Sequence, residues 1–201
     1  MSDAAVHAAG LVLGLGGAVV MIARLGAPLG SDRGLAVVVY IVGLMAMLGC
    51  SALYHLWRGC RRRDLLRRLD HAAIFLMIAG TYTPLVLVGL VEPWRGWLLA
   101  FVWTAAAIGI VLKLVQPHRV EAVSLALYLL LGWIGVVASQ AFIAAFDTVT
   151  LTLIVLGGGI YSAGVAFHLS SRLPHRQALW HGSVLLAAIV HYLAILVVVG
   201  S

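Results

Sequence analysis

Apolar residues run along this chain in seven blocks of about twenty, separated by short polar or proline-bearing breaks. The blocks cover residues 4–23, 35–57, 72–91, 96–115, 122–142, 148–167 and 179–199. About twenty apolar residues in a helix cross a bilayer. An open strand cannot, because its edge groups would go unsatisfied in hydrocarbon. The pattern therefore predicts an all-α fold, a polytopic bundle of seven transmembrane helices in one domain spanning residues 1–201. Pro28, Pro93, Pro117 and Pro174 fall between blocks and only Pro84 falls within one, where Thr81 and Thr83 could satisfy the carbonyls freed by a kink. Trp57, Trp94, Trp97 and Trp180 sit near block ends, where indole rings favour the interface.

Composition removes the soluble alternatives. The 201 residues are 63% hydrophobic and 10% charged, with a mean hydropathy of +1.09, whereas soluble domains carry about 25% charged residues. The formal charge of +6 is read as loop anchoring and not as a nucleic-acid footprint, which needs a solvated face. No soluble protein partner is implied. Gly10-x-x-x-Gly14 would allow close helix packing or a homo-oligomer. Cys50 lies in a span and Cys60 in a loop, so no disulfide is expected. The first ten residues lack a basic signal region, and the first span is expected to be retained.

Lys and Arg set the expected sidedness. Arg58, Arg61, Arg62, Arg63, Arg67, Arg68, Lys113, Arg119, Arg172 and Arg176 fall on one side, and only Arg24, Arg33 and Arg95 on the other. The excess marks the cytoplasmic side. The N-terminus is thus expected inside and the C-terminus outside.

Ionisable groups within spans mark candidate sites. His55 near the end of the second span, Asp70 at the start of the third and His181 at the start of the seventh share one expected depth, the cytoplasmic end. Imidazole and carboxylate are ordinary zinc ligands, and a catalytic zinc site keeps one position for water. Ser51, four residues before His55 and on the same helix face, could orient the imidazole or a water. Asp70 could accept a proton there, or could merely neutralise the neighbouring arginines and favour the helix N-terminus. His71 is about 100° around the helix from Asp70 and cannot share its target. His191, about 15 Å beyond His181, reads as a buried hydrogen-bonding residue ahead of a metal ligand. His7 lies in the first span. His118, His168 and His175 read most simply as loop or interface residues.

These residues carry a resemblance. Ser51-Ala-Leu-Tyr-His55, Leu69-Asp70-His71 with Ile78-Ala-Gly-Thr-Tyr-Thr-Pro84, Gly158-Gly-Ile-Tyr161-Ser-Ala-Gly164, and Leu179-Trp180-His181 with His191-Tyr192 resemble, in order, the hemolysin III family. That family is the bacterial branch of the progestin and adipoQ receptor group, within a larger set of seven-helix proteins that includes alkaline ceramidases. The resemblance covers essentially the whole chain. It implies a multi-pass protein of the bacterial inner membrane with a zinc site near the cytoplasmic surface, and it carries over Ser51, His55, Asp70 and His181. Relatives with the receptor-type site have a further histidine where this chain has Gln177, a poor zinc ligand. Gln177 and His191 are accordingly the lesser metal candidates, and His175 or His168 could substitute.

The expected function is a zinc-dependent hydrolase acting on an amide or ester of a membrane lipid, with His55 and His181 as metal ligands, Asp70 as a further metal ligand, as base or as an outer partner, and Ser51 positioning water. The alternative is a non-enzymatic modulator of membrane lipid state with a structural metal or none. A pore-forming, cytolytic protein comes third, weakened by the lack of a polar stripe along the spans.

Overall fold

The structure is a computed structural model that describes residues 3–57, 59–116, 121–170 and 172–200. Arg58, Pro117, His118 and Arg119, which entered the reading of loops and sidedness, lie outside the described residues. Helices α1 (Asp3–Arg24), α2 (Asp32–Leu56), α3 (Arg63–Gly89), α4 (Trp94–Val115), α5 (Glu121–Gly132), α6 (Ser139–Ala145), α7 (Thr148–Leu169) and α8 (Arg176–Gly200) are joined in chain order, with a 3₁₀ segment at Ile134–Ala138 between α5 and α6. No strand occurs among the described residues. Seven segments are long and apolar enough to cross a membrane, the fifth running Val123–Ala145 through α5, the 3₁₀ turn and α6. Val12, Val19, Ile108, Leu130 and Val155 lie exposed on their outer faces, as lipid-facing positions would be.

Local chemistry starts and stops the helices. Ser31 caps α2 by accepting the Gly34 N–H at 3.1 Å, and Asp147 caps α7 by accepting the Thr150 N–H at 2.8 Å. The bonds from Thr150 hold the Asp147 carboxyl below its ordinary range.

Helix α3 is the hub, packing against α2, α4, α5 and α8, while α1 closes the ring by touching α2 and α8. Small residues set the closest approach: a Cβ on Gly43 of α2 would stand 3.2 Å from the Leu76 carbonyl of α3. Pro84 lies inside a continuous α3. The Thr81 and Thr83 hydroxyls bond the Met77 and Ala79 carbonyls, not the Gly80 carbonyl that Pro84 leaves free by register.

Two details depart from the sequence reading. The fifth span, expected as one helix over 122–142, breaks after Gly132. Tyr82 of α3 spans the break, its hydroxyl donating to the Gly132 carbonyl at 2.7 Å and accepting the Gly135 N–H at 3.0 Å. A polar side chain thereby satisfies backbone groups that the interrupted helix cannot. Lys113, counted among loop cations, lies in the last turn of α4 and is buried. Cys50 and Cys60 are both free.

Candidate metal centre

Alternating helix direction brings the start of α1, the end of α2, the start of α3 and the start of α8 to one end of the bundle. Asp3 and His7, one turn apart on α1, face His55 of α2 and His181 of α8. One ligand atom from each of these four residues lies within 4.8 Å of every other. Asp3 sits among the imidazoles. Its Oδ1 is 2.6 Å from His181 Nδ1, and its Oδ2 is 3.8 Å from both His7 Nε2 and His55 Nδ1. The His7 ring is stacked on that of His55 and tilted to that of His181, and the His55 and His181 rings meet edge to face, with centroids 4.4–5.0 Å apart. His7 and His181 are buried.

The donor set fits a transition metal. Three imidazoles and a carboxylate match the ligand types of tetrahedral zinc, whose donors stand about 2.0–2.2 Å from the ion. Such donors are roughly 3.4 Å apart, so closure requires inward side-chain movement of about 1 Å. The strongest sign is His7 Nε2, which is buried and has no hydrogen-bond partner. Its lone pair or proton stays unsatisfied until something is supplied.

Of the residues selected from sequence, His55 and His181 belong to this group. Asp70 is buried beside it, with Oδ2 3.7 Å from His55 Nε2, on the ring nitrogen opposite the one facing Asp3. Ser51 lines the adjoining cavity one turn before His55. Gln177 also lines that cavity, is exposed, and makes no hydrogen bond among the described residues. His191 lies outside the group and its Nδ1 is 3.0 Å from the Ala187 carbonyl, a hydrogen bond within its own helix. Neither proposed substitute joins the group: His168 packs on Trp180 with centroids 5.3 Å apart, and His175 precedes α8. Asp3, and the place of His7 in this group, are not singled out by the sequence. Their signal was the spacing Asp3-x-x-x-His7, which puts a carboxylate and an imidazole on one helix face.

The cluster opens into a cavity of about 390 Å³ that runs inward between helices, past Asp70 and His71 to Tyr161 and His191. Its walls are mainly apolar, with Arg67 and Lys113 among its charged residues. Such a space suits an amphiphile whose polar part meets the cluster.

The family model described as "Haemolysin-III related" matches residues 1–192. Hemolysin-3 of Bacillus cereus is 33% identical over 186 residues, covering 92% of this chain and 84% of that protein. The Hemolysin-3 homolog of Bacillus subtilis (strain 168) is 34% identical over 147 residues, covering 73% and 69%. The human monocyte to macrophage differentiation factor is 30% identical over 165 residues, covering 78% and 67%.

Proposed function

This chain belongs to the haemolysin-III related family of multi-pass membrane proteins, and we propose that it uses the Asp3–His7–His55–His181 cluster to bind zinc and to hydrolyse an amide or ester of a membrane lipid. The observation that carries the reading is the convergence of three imidazoles and a carboxylate, from three helices, at the head of an amphiphile-sized cavity. Bound zinc would supply Lewis acidity and lower the pKa of a water at the site. His7, His55 and His181 would hold the ion through the nitrogens that face Asp3, and Asp3 would yield the fourth position to water, since four retained protein ligands would close the site. Asp70 would accept a hydrogen bond from the far ring N–H of His55, fixing its tautomer. Ser51 would hold the water in line from one turn along α2. The apolar walls would admit the acyl chain and keep bulk water out. By the distribution of Lys and Arg, this end of the bundle is the cytoplasmic one.

A non-enzymatic reading draws on the 2.6 Å contact between Asp3 and His181, which ties the first helix to the last without any ion. There the cluster serves cohesion and turns nothing over.

Metal analysis of the purified protein tests the proposal. Wild type should carry about one zinc, His7→Ala, His55→Ala and His181→Ala should lose it, and His191→Ala should keep it. Wild type without zinc after metal-replete expression would exclude the centre. With zinc present, release of fatty acid from acyl-amide and acyl-ester lipids that vanishes in Asp70→Asn supports the hydrolase. No release from any of them leaves the cohesive reading.

A further inference from the structure

The inner end of the cavity holds polar groups for which the metal centre has no use. His191 is ten residues beyond His181, about 15 Å along α8. Its Nδ1 faces the Ala187 carbonyl, which only accepts, so Nδ1 carries the proton and Nε2 of the neutral ring is an acceptor. Nε2 has no partner among the described residues, and His191 lines both this cavity and a second one of about 250 Å³. The ring of Tyr161 lies 5.7 Å from that of His191, and the Tyr161 hydroxyl makes no hydrogen bond among the described residues. Tyr40 of α2 is fully buried with no partner for its hydroxyl, but it lines neither cavity. Tyr192 is already committed to the Gly17 carbonyl at 2.9 Å. Side chains from α7 and α8 thus present polar atoms without a partner among the described residues at the inner end of the cavity.

The chemistry selects the occupant. Nε2 requires a donor, so an ether, ester or ketone oxygen cannot serve it. The Tyr161 hydroxyl donates as readily as it accepts. A hydroxyl does both at once. No Asp, Glu, Lys or Arg lines the second cavity, so the part of the occupant that lies there is uncharged. That cavity is walled by Leu85, Phe142, Ile143, Leu151 and Ile154, which suits a hydrocarbon chain. We propose that Tyr161 and His191 form a second binding site, separate from the metal centre, for the hydroxyl of a long-chain alcohol whose chain lies in the apolar cavity.

The test is photolabelling of detergent-purified protein with a twelve-carbon primary alcohol bearing a diazirine on its chain, competed by 1-dodecanol or its methyl ether. Saturable labelling should map to α7, α8 and the break in the fifth span, and dodecanol should compete at least tenfold better than the ether. Tyr161→Phe, which keeps the ring, should weaken labelling about 5–10-fold, the worth of one hydrogen bond. His55→Ala should leave it unchanged, whether or not the metal centre proves real. Equal competition by the ether, full labelling of Tyr161→Phe, or no saturable labelling (water alone satisfying these groups) would overturn the proposal. Loss of labelling in a folded His55→Ala protein would refute a separate site.

Discussion

Asp3 Oδ1 lies 2.6 Å from His181 Nδ1, so the first helix is tied to the last across 178 positions of chain. The bond is made at the bundle end, where α1 packs between α2 and α8. The Asp3 side chain remains 28% exposed, which keeps the worth of the contact near the lower bound for a charge-assisted bond, about 1.5 kcal/mol. Asp3→Asn retains the shape and a weaker acceptor. It should lower the thermal midpoint slightly while loosening retained zinc more clearly. A variant with unchanged metal content would remove Asp3 from the ligand set and leave it a packing role.

Tyr82 concentrates two backbone obligations on one oxygen. Tyr82→Phe keeps the ring but strands the Gly132 carbonyl and the Gly135 N–H, neither of which has bulk water to turn to in the membrane interior. A cost of about 1–3 kcal/mol is expected, with faster hydrogen exchange confined to the 3₁₀ segment Ile134–Ala138. Unchanged exchange there would mean that the break is held by packing alone.

The seven spans were legible because lipid demands long apolar helices, a constraint written directly into residue order. His55 and His181 were legible because histidine within a span is costly and rare. His7 was equally visible as a residue, yet its partners were not: only the packing of α1 between α2 and α8 brings it to them. Asp3, one turn earlier, falls just before the first apolar block, where nothing local marks it. The break at Gly132 had no reliable signal. Trp133, Ile134, Val136 and Val137 are apolar, and the cause lies fifty residues away in Tyr82. Contacts of that kind are set by tertiary packing and leave no local periodicity.

Gly157 and Gly159 separate packing from mere composition. A Cβ at Gly157 would stand 2.4 Å from the His191 ring, whereas one at Gly159 meets nothing within 4 Å. Gly157→Ala should displace His191 and cost about 1–3 kcal/mol of stability. Gly159→Ala should be neutral or slightly stabilising, since alanine is the better helix former. Thermal unfolding of the two purified variants side by side checks this. Equal midpoints would mean that α7 and α8 shift apart freely and that His191 is not fixed by its neighbour.

Gln177 allows the ligand set to be rebuilt. It lies four residues before His181, on the same face of α8, and already lines the cavity beside the cluster. A histidine there would offer from α8 the third imidazole that His7 offers from α1. Removing His7 should weaken metal retention at least 10–100-fold, more than the loss of a supporting partner would. In the double variant His7→Ala with Gln177→His, zinc retained after dialysis against a mild chelator should recover towards the wild-type level. Gln177→His alone should retain at least as much as wild type, because a fifth donor can join but need not displace the others. Failure of the double variant to recover, with Gln177→His itself folded and metal-bound, would show that the site needs its ligand from the α1 side. Metal bound normally by the His7→Ala single variant would instead remove His7 from the centre and leave its buried Nε2 to be explained by water.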